Sequence, residues 1–518
     1  QICSYRRLEL SKSDSLLARM KPLSVALMLA AASFLRAESA EVAGLPHSSP
    51  EAEGVDSAGV LGLITDCEKK VDAVHSLVLV RHGRIVAEGW WSPYARDDVH
   101  VLYSVTKSFT ATAVGFAAAE GLLNLNDRVI SFFPELTPAE PSDNLKAMRV
   151  RDLLRMNSGH QNDTIDRLRT HTDGQWRRAF LALPVENKPG TRFVYNSGGA
   201  YMLAAIVQKV SGQTVEAFLT PRLFEPLGIN RHPWALSDEG VALGDGGLSL
   251  TTEDLAKFGQ LYLQKGMWHG RRLLPEQWVE AATSLQTANG GDPDSDWDAG
   301  YGYQFWRNKT LGYRADGAQG QFCFVLPEQD VVLAITSGTG DAKALFDVVW
   351  TRLLPALHAA ALPASVSAQE ALTRKLATLT LPIPAGADRS PHASQVSGKT
   401  YVFPKNEQGI ETVRIDFAAG NPVLIFKDNE GVHPIALGSG RWLRGTTTFR
   451  KRISHMWDAD QQGMAACGTW TDADTFTAKL CFDETPFIIT ARLKFDGDQL
   501  LLNMDHNQRW GEKHRPQI

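Results

Sequence analysis

The sequence predicts an α+β protein, in which an antiparallel sheet with flanking helices and a helical subdomain precedes a C-terminal antiparallel β domain. Short apolar runs near residues 77–88 and 301–337 enclose a stretch from 104 to about 282, where apolar residues recur at helical spacing. From residue 399 onward, apolar and polar residues alternate with the period of a β-strand. Residues 359–394, rich in Ala, Pro and Ser, separate the two patterns and are the best linker candidate.

In the first region, residues 77–80 and 84–88 are predicted to form a hairpin around His82-Gly83. Further strands are expected near residues 301–306, 321–326 and 331–337, and a helix is expected from 342 to about 357. Strands on both sides of a helical insertion predict one antiparallel sheet with the helical subdomain beside it. A site is expected between the two.

The C-terminal pattern predicts strands over residues 476–482, 487–495 and 499–504, separated by turns that contain Asp and Gly. This spacing indicates an antiparallel barrel or half-barrel. Cys467 and Cys481 flank a turn between two strands, so they could form a cross-strand disulfide in an oxidising compartment. Two unpaired buried thiols are the alternative, and Cys67 and Cys323 are expected to be buried single thiols.

The first forty residues have the pattern of a leader. Met20-Lys21 opens a short basic region, an apolar run follows over residues 23–35, and small residues come next. This order predicts a secretory signal peptide that starts at Met20 and is cleaved near residues 37–40. The apolar run is too short to span a bilayer, so we expect a secreted or periplasmic protein without stable membrane insertion.

Composition narrows the function classes. A chain of 518 residues, 43% of them hydrophobic, is long enough for two domains with sizeable cores. Its net charge of −5 offers no basic face for nucleic acid. The sequence has no CxxC and no HExxH, so it predicts no metal site and no cofactor. It also lacks the GxSxG turn of α/β-hydrolases. The oligomeric state is left open.

Ser104 and Lys107 stand three residues apart at the predicted start of a helix. Residues i and i+3 share a helix face, so the Lys107 ammonium can reach the Ser104 hydroxyl. A serine is a poor nucleophile until a neighbouring base takes its proton, and free N–H groups at a helix start suit an oxyanion. Tyr195 lies in a polar turn before an apolar helix, where a nearby lysine would favour its phenolate.

Ser104-x-x-Lys107 followed by Phe193-x-Tyr195 resembles the serine β-lactamase and penicillin-binding-protein superfamily. Within it, the chain is most similar to class C β-lactamases, DD-peptidases and the esterases of the same fold. The resemblance runs from about residue 54 to 354, with further matching segments at 150–160, 223–229 and 246–256. It implies a β-lactamase-like serine hydrolase domain over residues 45–358. A linker over 359–395 and the β domain over 396–518 would follow, after the leader over 1–40.

The resemblance also implies the roles of the site residues. Ser104 would attack the carbonyl of the substrate, while Lys107 and Tyr195 would share the base work. The backbone N–H groups of Ser104 and Ala318 would form the oxyanion hole. Asn196 and Ser197 would orient the lysine or contact the substrate.

Two further residues have alternative roles. His160 would contact the substrate at the rim of the site, or it would be a structural loop residue. Asp316 would bind a substrate amine beside Gly317, or it would be a solvated turn residue.

Two departures from the family pattern bear on the substrate. In the family's Tyr-x-Asn triplet, the amide comes one position early at Asn196 and Ser197 holds the third place. The family's third motif, Lys-Thr-Gly or His-x-Gly, is matched by Ala315-Asp316-Gly317, which lacks a cation. β-Lactams and D-Ala-D-Ala peptides carry a carboxylate that such a cation would hold. An uncharged ester or amide does not need it, although Arg307 or Arg314 could supply the charge instead.

These observations predict a secreted serine hydrolase that forms an acyl-enzyme on Ser104 and cleaves carboxylic esters or small amides. Its expected partner is the small-molecule substrate alone. A β-lactamase or a D-amino-acid-specific peptidase is the alternative within the same chemistry. A penicillin-binding-like protein that binds without turnover is the alternative of another class.

Overall fold

The strands fall into two groups, one before residue 340 and one after residue 399. The first group is β1 (Val74–Arg81), β2 (Arg84–Trp90), β3 (His100–Val101), β4 (Ser249–Leu250), β5 (Met267–Trp268), β6 (Arg271–Arg272), β7 (Trp306–Arg307), β8 (Tyr313–Gly317), β9 (Gln321–Leu326) and β10 (Val331–Ser337). The second group is β11 (Thr400–Val402), β12 (Thr412–Asp416), β13 (Val423–Asp428), β14 (Gly431–Ala436), β15 (Leu443–Thr447), β16 (Gln462–Trp470), β17 (Thr475–Cys481), β18 (Ile488–Asp496) and β19 (Gln499–His506).

Most helices lie between β2 and β7. The computed structural model describes residues 44–171, 173–417, 420–450 and 461–507, so the predicted leader over 1–40 lies outside the described residues. The helices are Ser57–Lys70, Thr106–Ala119, Val129–Phe132, Asp143–Ala147, Val150–Leu154, Ile165–Arg169, Trp176–Ala182, Ser197–Ser211, Val215–Leu219, Thr252–Leu263, Glu276–Thr283, Ala342–Val348, Val366–Leu376 and Ala393–Val396. Among the described residues, no helix is long and apolar enough to cross a membrane.

A six-stranded antiparallel sheet organises the first region, with the strand order β2-β1-β10-β9-β8-β7. The predicted hairpin is therefore present as β1 and β2, and it pairs with β10 so that Leu79 lies opposite Leu333. Successive side chains of a strand point to opposite faces of the sheet. Accordingly Val78 and Val80 join the core shared with the helical region, whereas Leu77 and Leu79 join the core on the other face. The sheet is buried on both faces.

The Thr106–Ala119 helix lies in the middle of the helical region. Its residues 106–117 are all buried, and it packs against the Ser197–Ser211 helix. A helix that is buried on every side carries small or apolar residues around most of its circumference, and in this helix Lys107 is the one charged residue. The α+β fold class with its sheet and helical subdomain is confirmed.

Strand β8 was not predicted, and the strand expected over residues 301–306 is reduced to β7. The reason is that Tyr313–Gly317 carries two charged residues, Arg314 and Asp316, on one face. They pair with each other, which lets a polar sequence occupy a buried strand. The expected helix over 342–357 is present as Ala342–Val348, followed by wider and tighter helical turns to Ala356.

The segment predicted as a linker is packed against the first region. Leu372 of the Val366–Leu376 helix is buried, as are Leu379 and Leu381 that follow it. All three belong to the same apolar core as Leu77 of β1. From Leu45 onward the chain forms one compact unit, so the boundaries over 45–358, 359–395 and 396–518 stay a prediction.

The C-terminal region contains two antiparallel sheets around one core. One sheet has the order β11-β12-β13-β14 and the other β15-β16-β17-β18-β19. They are joined at one corner, where the backbone of Gly438 bonds to Ala466 and Gly468 of β16. The predicted antiparallel character is confirmed.

Cys467 and Cys481 are both buried free thiols. In the pairing of β16 with β17, Cys467 lies opposite Lys479 and Cys481 lies opposite Ala465. The two cysteines are therefore out of register by two residues, which keeps their sulfurs apart. The structure has the unpaired-thiol alternative. Cys67 and Cys323 are likewise buried free thiols, as expected.

A turn of the C-terminal region, residues 482–486, lies against the strand that leads to Ser104. The Val101 N–H of β3 donates to the Glu484 carbonyl at 2.9 Å. The buried Tyr94 hydroxyl donates to the Thr485 carbonyl, also at 2.9 Å. The two regions of the chain thus share backbone hydrogen bonds close to the predicted nucleophile.

Candidate active site

Ser104 lies in a tight helical turn, Tyr103–Val105, that leads directly into the Thr106–Ala119 helix. Tyr103 has a positive φ of 47°, a backbone conformation that non-glycine residues adopt rarely and that is often found at functional sites. The Lys107 ammonium donates to Ser104 Oγ at 2.9 Å and to the Asp245 carbonyl oxygen at 2.8 Å. Lys107 is 1% exposed, so its charge acts on Ser104 with little screening by water.

Tyr195 completes this cluster. Its ring centroid lies 4.9 Å from Lys107 Nζ, and Ser104 and Lys107 are the side chains that favour its ionised form. The ring stacks on Trp306 at a centroid distance of 5.6 Å. Burial raises the pKa of Tyr195, while the Lys107 charge and the nearby Ser104 hydroxyl oppose that rise. The structure thus brings together the three residues that the sequence predicts as catalytic.

The three residues open into a cavity of about 840 Å³ between the sheet and the helical region. Its wall combines polar and charged residues with aromatic side chains. The lining residues are Tyr103, Ser104, Lys107, Asp163, Ile165, Asp166, Arg169, Trp176, Tyr195, Ser197, Leu243, Asp245, Gly246, Trp306, Asp316 and Ala318. A volume of this size accommodates a small organic molecule.

The two predicted oxyanion-hole residues both line this cavity. Ala318 directly follows β8, and its carbonyl accepts a hydrogen bond from the Gln321 side chain at 3.2 Å. Gly317 permits a close approach, because a Cβ atom there would stand 2.3 Å from the Leu102 carbonyl oxygen. Gly317 does not line the cavity. It allows β8 to pass beside the turn of Ser104.

Asp316 is not a solvated turn residue. It belongs to β8, its side chain is 13% exposed, and it lines the cavity. Its Oδ2 accepts from Arg314 Nε and from Trp297 Nε1, each at 2.9 Å. Arg314 is 1% exposed and does not line the cavity, so it does not reach a substrate carboxylate there. Burial raises the pKa of Asp316, and the Arg314 charge opposes that rise.

Asn196 and Ser197 have different positions. Asn196 is 1% exposed and caps the Ser197–Ser211 helix, since its Oδ1 accepts from the Gly199 N–H at 3.2 Å. The same oxygen accepts from the Thr164 hydroxyl at 2.7 Å. Asn196 does not line the cavity, whereas Ser197 does. The early amide of the triplet therefore holds the backbone around Tyr195 and does not reach Lys107.

His160 lies away from the cavity. It is fully buried, its Nδ1 is 3.0 Å from the Ser158 hydroxyl, and its ring packs on Phe180. Burial lowers the pKa of His160 to about 4, so the imidazole is neutral near pH 7. These contacts fit the structural alternative, and the predicted substrate contact finds no support in them.

Several lining residues were not foreseen in the sequence. Asp163 accepts from the Ser197 N–H at 2.9 Å, and Arg169 lies near Asp245. Only Asp245 carried a local signal, an acidic residue inside the turn Gly244-Asp245-Gly246-Gly247. The others lie on short helices and loops whose approach to Ser104 depends on tertiary packing.

The comparisons with known proteins agree with this geometry. The family model described as Beta-lactamase matches residues 66–356. The chain is 26% identical over 306 residues to the 6-aminohexanoate-dimer hydrolase of Paenarthrobacter ureafaciens. This alignment covers 54% of this chain and 76% of that protein. The chain is also 27% identical over 306 residues to Penicillin-binding protein 4 of Amycolatopsis lactamdurans. That alignment covers 52% of this chain and 79% of the relative.

One solved structure matches a larger share of the chain. The octameric penicillin-binding protein homologue from Pyrococcus abyssi aligns with a TM-score of 0.46 and 18% identity, over 86% of this chain and 97% of that chain.

Proposed function

The chain belongs to the Beta-lactamase family, and on that premise we propose that it is a serine hydrolase that forms an acyl-enzyme on Ser104. The proposed substrates are carboxylic esters or small amides. One observation carries the proposal: Lys107 Nζ lies 2.9 Å from Ser104 Oγ, beside Tyr195, in a cavity of suitable size. The similar 6-aminohexanoate-dimer hydrolase supports small amides as one of the two classes.

In the proposed mechanism, Tyr195 acts as the general base with Lys107 beside it. As a phenolate, Tyr195 takes the Ser104 proton while Oγ bonds to the carbonyl carbon and the carbonyl oxygen becomes an oxyanion. Collapse of the oxyanion breaks the bond to the leaving group, which takes the proton from Tyr195. Water then attacks the carbonyl of the acyl-enzyme and gives a proton to Tyr195. When the acid leaves, Tyr195 returns that proton to Ser104 Oγ.

The oxyanion would be held by the backbone N–H groups of Ser104 and Ala318. This assignment is supported by the position of both residues on the cavity wall and by Gly317, which permits the approach of β8 to the Ser104 turn. The Lys107 ammonium, held on the Asp245 carbonyl, would stabilise the Tyr195 phenolate through its charge.

The preference for substrates without a carboxylate is supported by the charges around Asp316. Asp316 stands where relatives have a lysine or histidine. The nearest buried cation, Arg314, is already bound to the Asp316 carboxylate. A β-lactam would bring its carboxylate beside Asp316 with no charge-assisted hydrogen bond. Losing such a bond lowers affinity by about ten- to a hundredfold. The β-lactamase, D-amino-acid peptidase and non-catalytic alternatives are therefore outcomes of the test.

The test measures kcat/KM for p-nitrophenyl butanoate, a chromogenic cephalosporin and D-alaninamide. We expect the ester to have the highest value and Ser104→Ala to remove its turnover. A fluorophosphonate probe should add once, on the peptide that contains Ser104. Ser108→Ala is the matched control, because Ser108 lies in the helix that follows Ser104 and its hydroxyl donates to the Gln304 carbonyl.

A higher kcat/KM for the cephalosporin or the D-alaninamide would replace the proposed substrate class by one of the alternatives. If wild-type protein turns over none of the three substrates and acquires no adduct, the non-catalytic alternative holds.

Export from the cytoplasm is a second proposal, and the sequence pattern from Met20 to residue 40 is its whole support. N-terminal sequencing of the protein from its native host should find a mature chain that begins near residues 38–41. A mature chain that retains residues 23–35 would contradict it.

A further inference from the structure

The wall of the cavity carries more negative than positive charge. Four carboxylates line it, namely Asp163, Asp166, Asp245 and Asp316, against the two cations Lys107 and Arg169. An excess of carboxylates in a partly enclosed site attracts cations and repels anions. A carboxylate that is already paired inside the protein has little left to offer a ligand. The hydrogen-bond and ion-pair partners of each carboxylate therefore determine which one can bind a cation.

Three of the four carboxylates already have partners. Asp163 Oδ1 accepts from the N–H groups of Ile165 and Ser197 at 3.0 and 2.9 Å. Asp316 is bonded to Arg314 and Trp297, as described above. The Asp166 side chain is 92% exposed and lies 3.4 Å from Arg169 Nη1, so water screens its charge.

Asp245 differs from the other three. Its side chain is 4% exposed, and its Oδ1 has no hydrogen-bond partner among the described residues. Its Oδ2 lies 3.7 Å from Arg169 Nη2, which is too long for a hydrogen bond. A buried carboxylate oxygen that has no hydrogen-bond donor destabilises the protein more than an unpaired neutral polar group does. Asp245 lines the cavity, so a substrate cation that displaces the side chains covering Oδ1 would supply the donor that this oxygen lacks.

The backbone around Asp245 is fixed. Its carbonyl accepts from Lys107 Nζ, and the Gly244 carbonyl accepts from the Thr110 hydroxyl at 2.8 Å. The N–H groups of Gly246 and Gly247 both bond to the Leu243 carbonyl, which closes the turn. The backbone of residue 245 is thus held at the cavity wall beside Lys107.

From these contacts we infer that Asp245 recognises a cationic group, an ammonium or a guanidinium, on the acyl part of the substrate. The inference rests on the proposed function and names its substrate class: esters or amides of short amino acids. Because Lys107 Nζ bonds to both Ser104 Oγ and the Asp245 backbone, residue 245 lies close to the reacting carbonyl. The cation is therefore only a few bonds from that carbonyl, and a short aminoacyl group fits this spacing.

The local charges agree with this assignment. Burial raises the pKa of Asp245, while the charges of Lys107 and Arg169 oppose that rise. A substrate cation at Oδ1 also opposes the rise in the pKa of Asp245, and it thereby stabilises the ionised carboxylate. Lys107 does not bond to Oδ1, since its ammonium donates to Ser104 Oγ and to the backbone oxygen of residue 245.

Three p-nitrophenyl esters of nearly equal size test the inference: 3-aminopropanoate, butanoate and hemisuccinate. They place a cation, a methyl group or an anion at the same distance from the carbonyl. We expect kcat/KM for the cationic ester to exceed that for butanoate by about tenfold or more, the range of a hydrogen bond to a charged group. The hemisuccinate should have the lowest value.

Asp245→Asn should lower the ratio of kcat/KM for the cationic and neutral esters about tenfold, and the ratio cancels any general loss of activity. Asp166→Asn is the matched control, and its ratio should stay within about threefold of wild type because the exposed carboxylate is screened. A wild-type ratio of one or less overturns the inference, and this measurement needs no variant. An unchanged ratio in Asp245→Asn overturns it as well.

The two proposals fail in different ways. If butanoate is hydrolysed through Ser104 and the cationic ester is no better, only the inference fails. If no ester is hydrolysed, the proposed function fails and the inference falls with it.

Discussion

The ion pair of Arg314 and Asp316 determines which charge β8 presents to a substrate. They lie two positions apart in β8, on the same face, and each is buried beside the other. The pair satisfies both charges inside the protein. The carboxylate is thus presented to the cavity with its cation behind it, and neither group can be changed alone without leaving the other unpaired.

The first prediction at this scale concerns that pair. Asp316→Asn should lower the free energy of unfolding by about 3–5 kcal/mol, because the Arg314 guanidinium then stays buried without its anion. Urea denaturation measures the change. Asp143→Asn is the control, since the Asp143 side chain is fully exposed beside Lys146, and its effect should stay within about 0.5 kcal/mol. An Asp316 variant as stable as the control would show that the ion pair is not needed by the fold.

The second residue-scale prediction concerns Tyr195 as the base. Tyr195→Phe should reduce kcat/KM about a hundredfold or more, while the ring keeps its packing on Trp306. Because the phenolate is the active form and burial raises the pKa of Tyr195, wild-type activity should increase with pH above neutrality and be lost as pH falls. Tyr201→Phe is the matched control, since the Tyr201 hydroxyl bonds to Glu239 outside the cavity.

The Tyr195→Phe variant should also lose the alkaline rise in rate. The effect of this substitution should not add to that of Lys107→Ala, because parts of one catalytic unit fail together. Near-wild-type kinetics in Tyr195→Phe would refute the assignment.

At the scale of elements, the Val366–Leu376 helix holds the segment between the two regions in place. Its composition suggests a spacer, and only Leu372 of this helix is buried. That residue, with Leu379 and Leu381 after it, inserts into the core behind the sheet. Three well-spaced leucines are enough to turn a polar segment into part of the packed structure.

A substitution tests this packing. Leu372→Ala should lower the free energy of unfolding by about 2–5 kcal/mol, since it leaves a cavity in the core behind the sheet. Val366→Ala, at the exposed start of the same helix, should change it by about 0.5 kcal/mol or less. Equal effects of the two substitutions would mean that the segment contributes no packing energy.

The elements also show which features a sequence can predict. Ser104 and Lys107 were predictable because their contact depends on helix geometry alone, and β1, β9 and β10 were predictable from their continuous apolar runs. Strand β8 was not, because its charges are compensated by a neighbour two residues away. The positions of His160 and Asn196 were not predictable either, since a histidine or asparagine beside a site motif has the same local sequence whether it faces the substrate or the core.

At the scale of the whole molecule, a group of three charges, of which Asp483 is buried, lies where the C-terminal region meets the first one. Arg444 contacts Asp98 at 2.6 Å and Asp483 at 3.1 Å, and the Asp483 side chain is 2% exposed. Burial raises the pKa of Asp483 to about 7, while the Arg444 charge opposes that rise. Since Arg444 pairs with one carboxylate from each region, this group links their stability to pH.

The direction of that dependence follows from proton uptake. The folded protein binds a proton at Asp483 up to about pH 7, whereas an unfolded chain releases it near pH 4, so this group makes stability fall as pH rises between those values. Asp483→Asn should therefore gain stability relative to wild type as pH increases from 4 to 8, as measured by Tm. Asp496→Asn, an exposed position, is the control. A difference between Asp483→Asn and wild type that is constant with pH would contradict the raised pKa.

The hydrogen bond from the Val101 N–H to the Glu484 carbonyl has a consequence for how the protein becomes active during its synthesis. Ribosomes make a chain from its N-terminus, so Ser104 emerges long before residue 484. The strand that leads to Ser104 gains its backbone partner only after residue 484 has been made. Products of premature termination before residue 484 lack this support, so they should be less active than longer products.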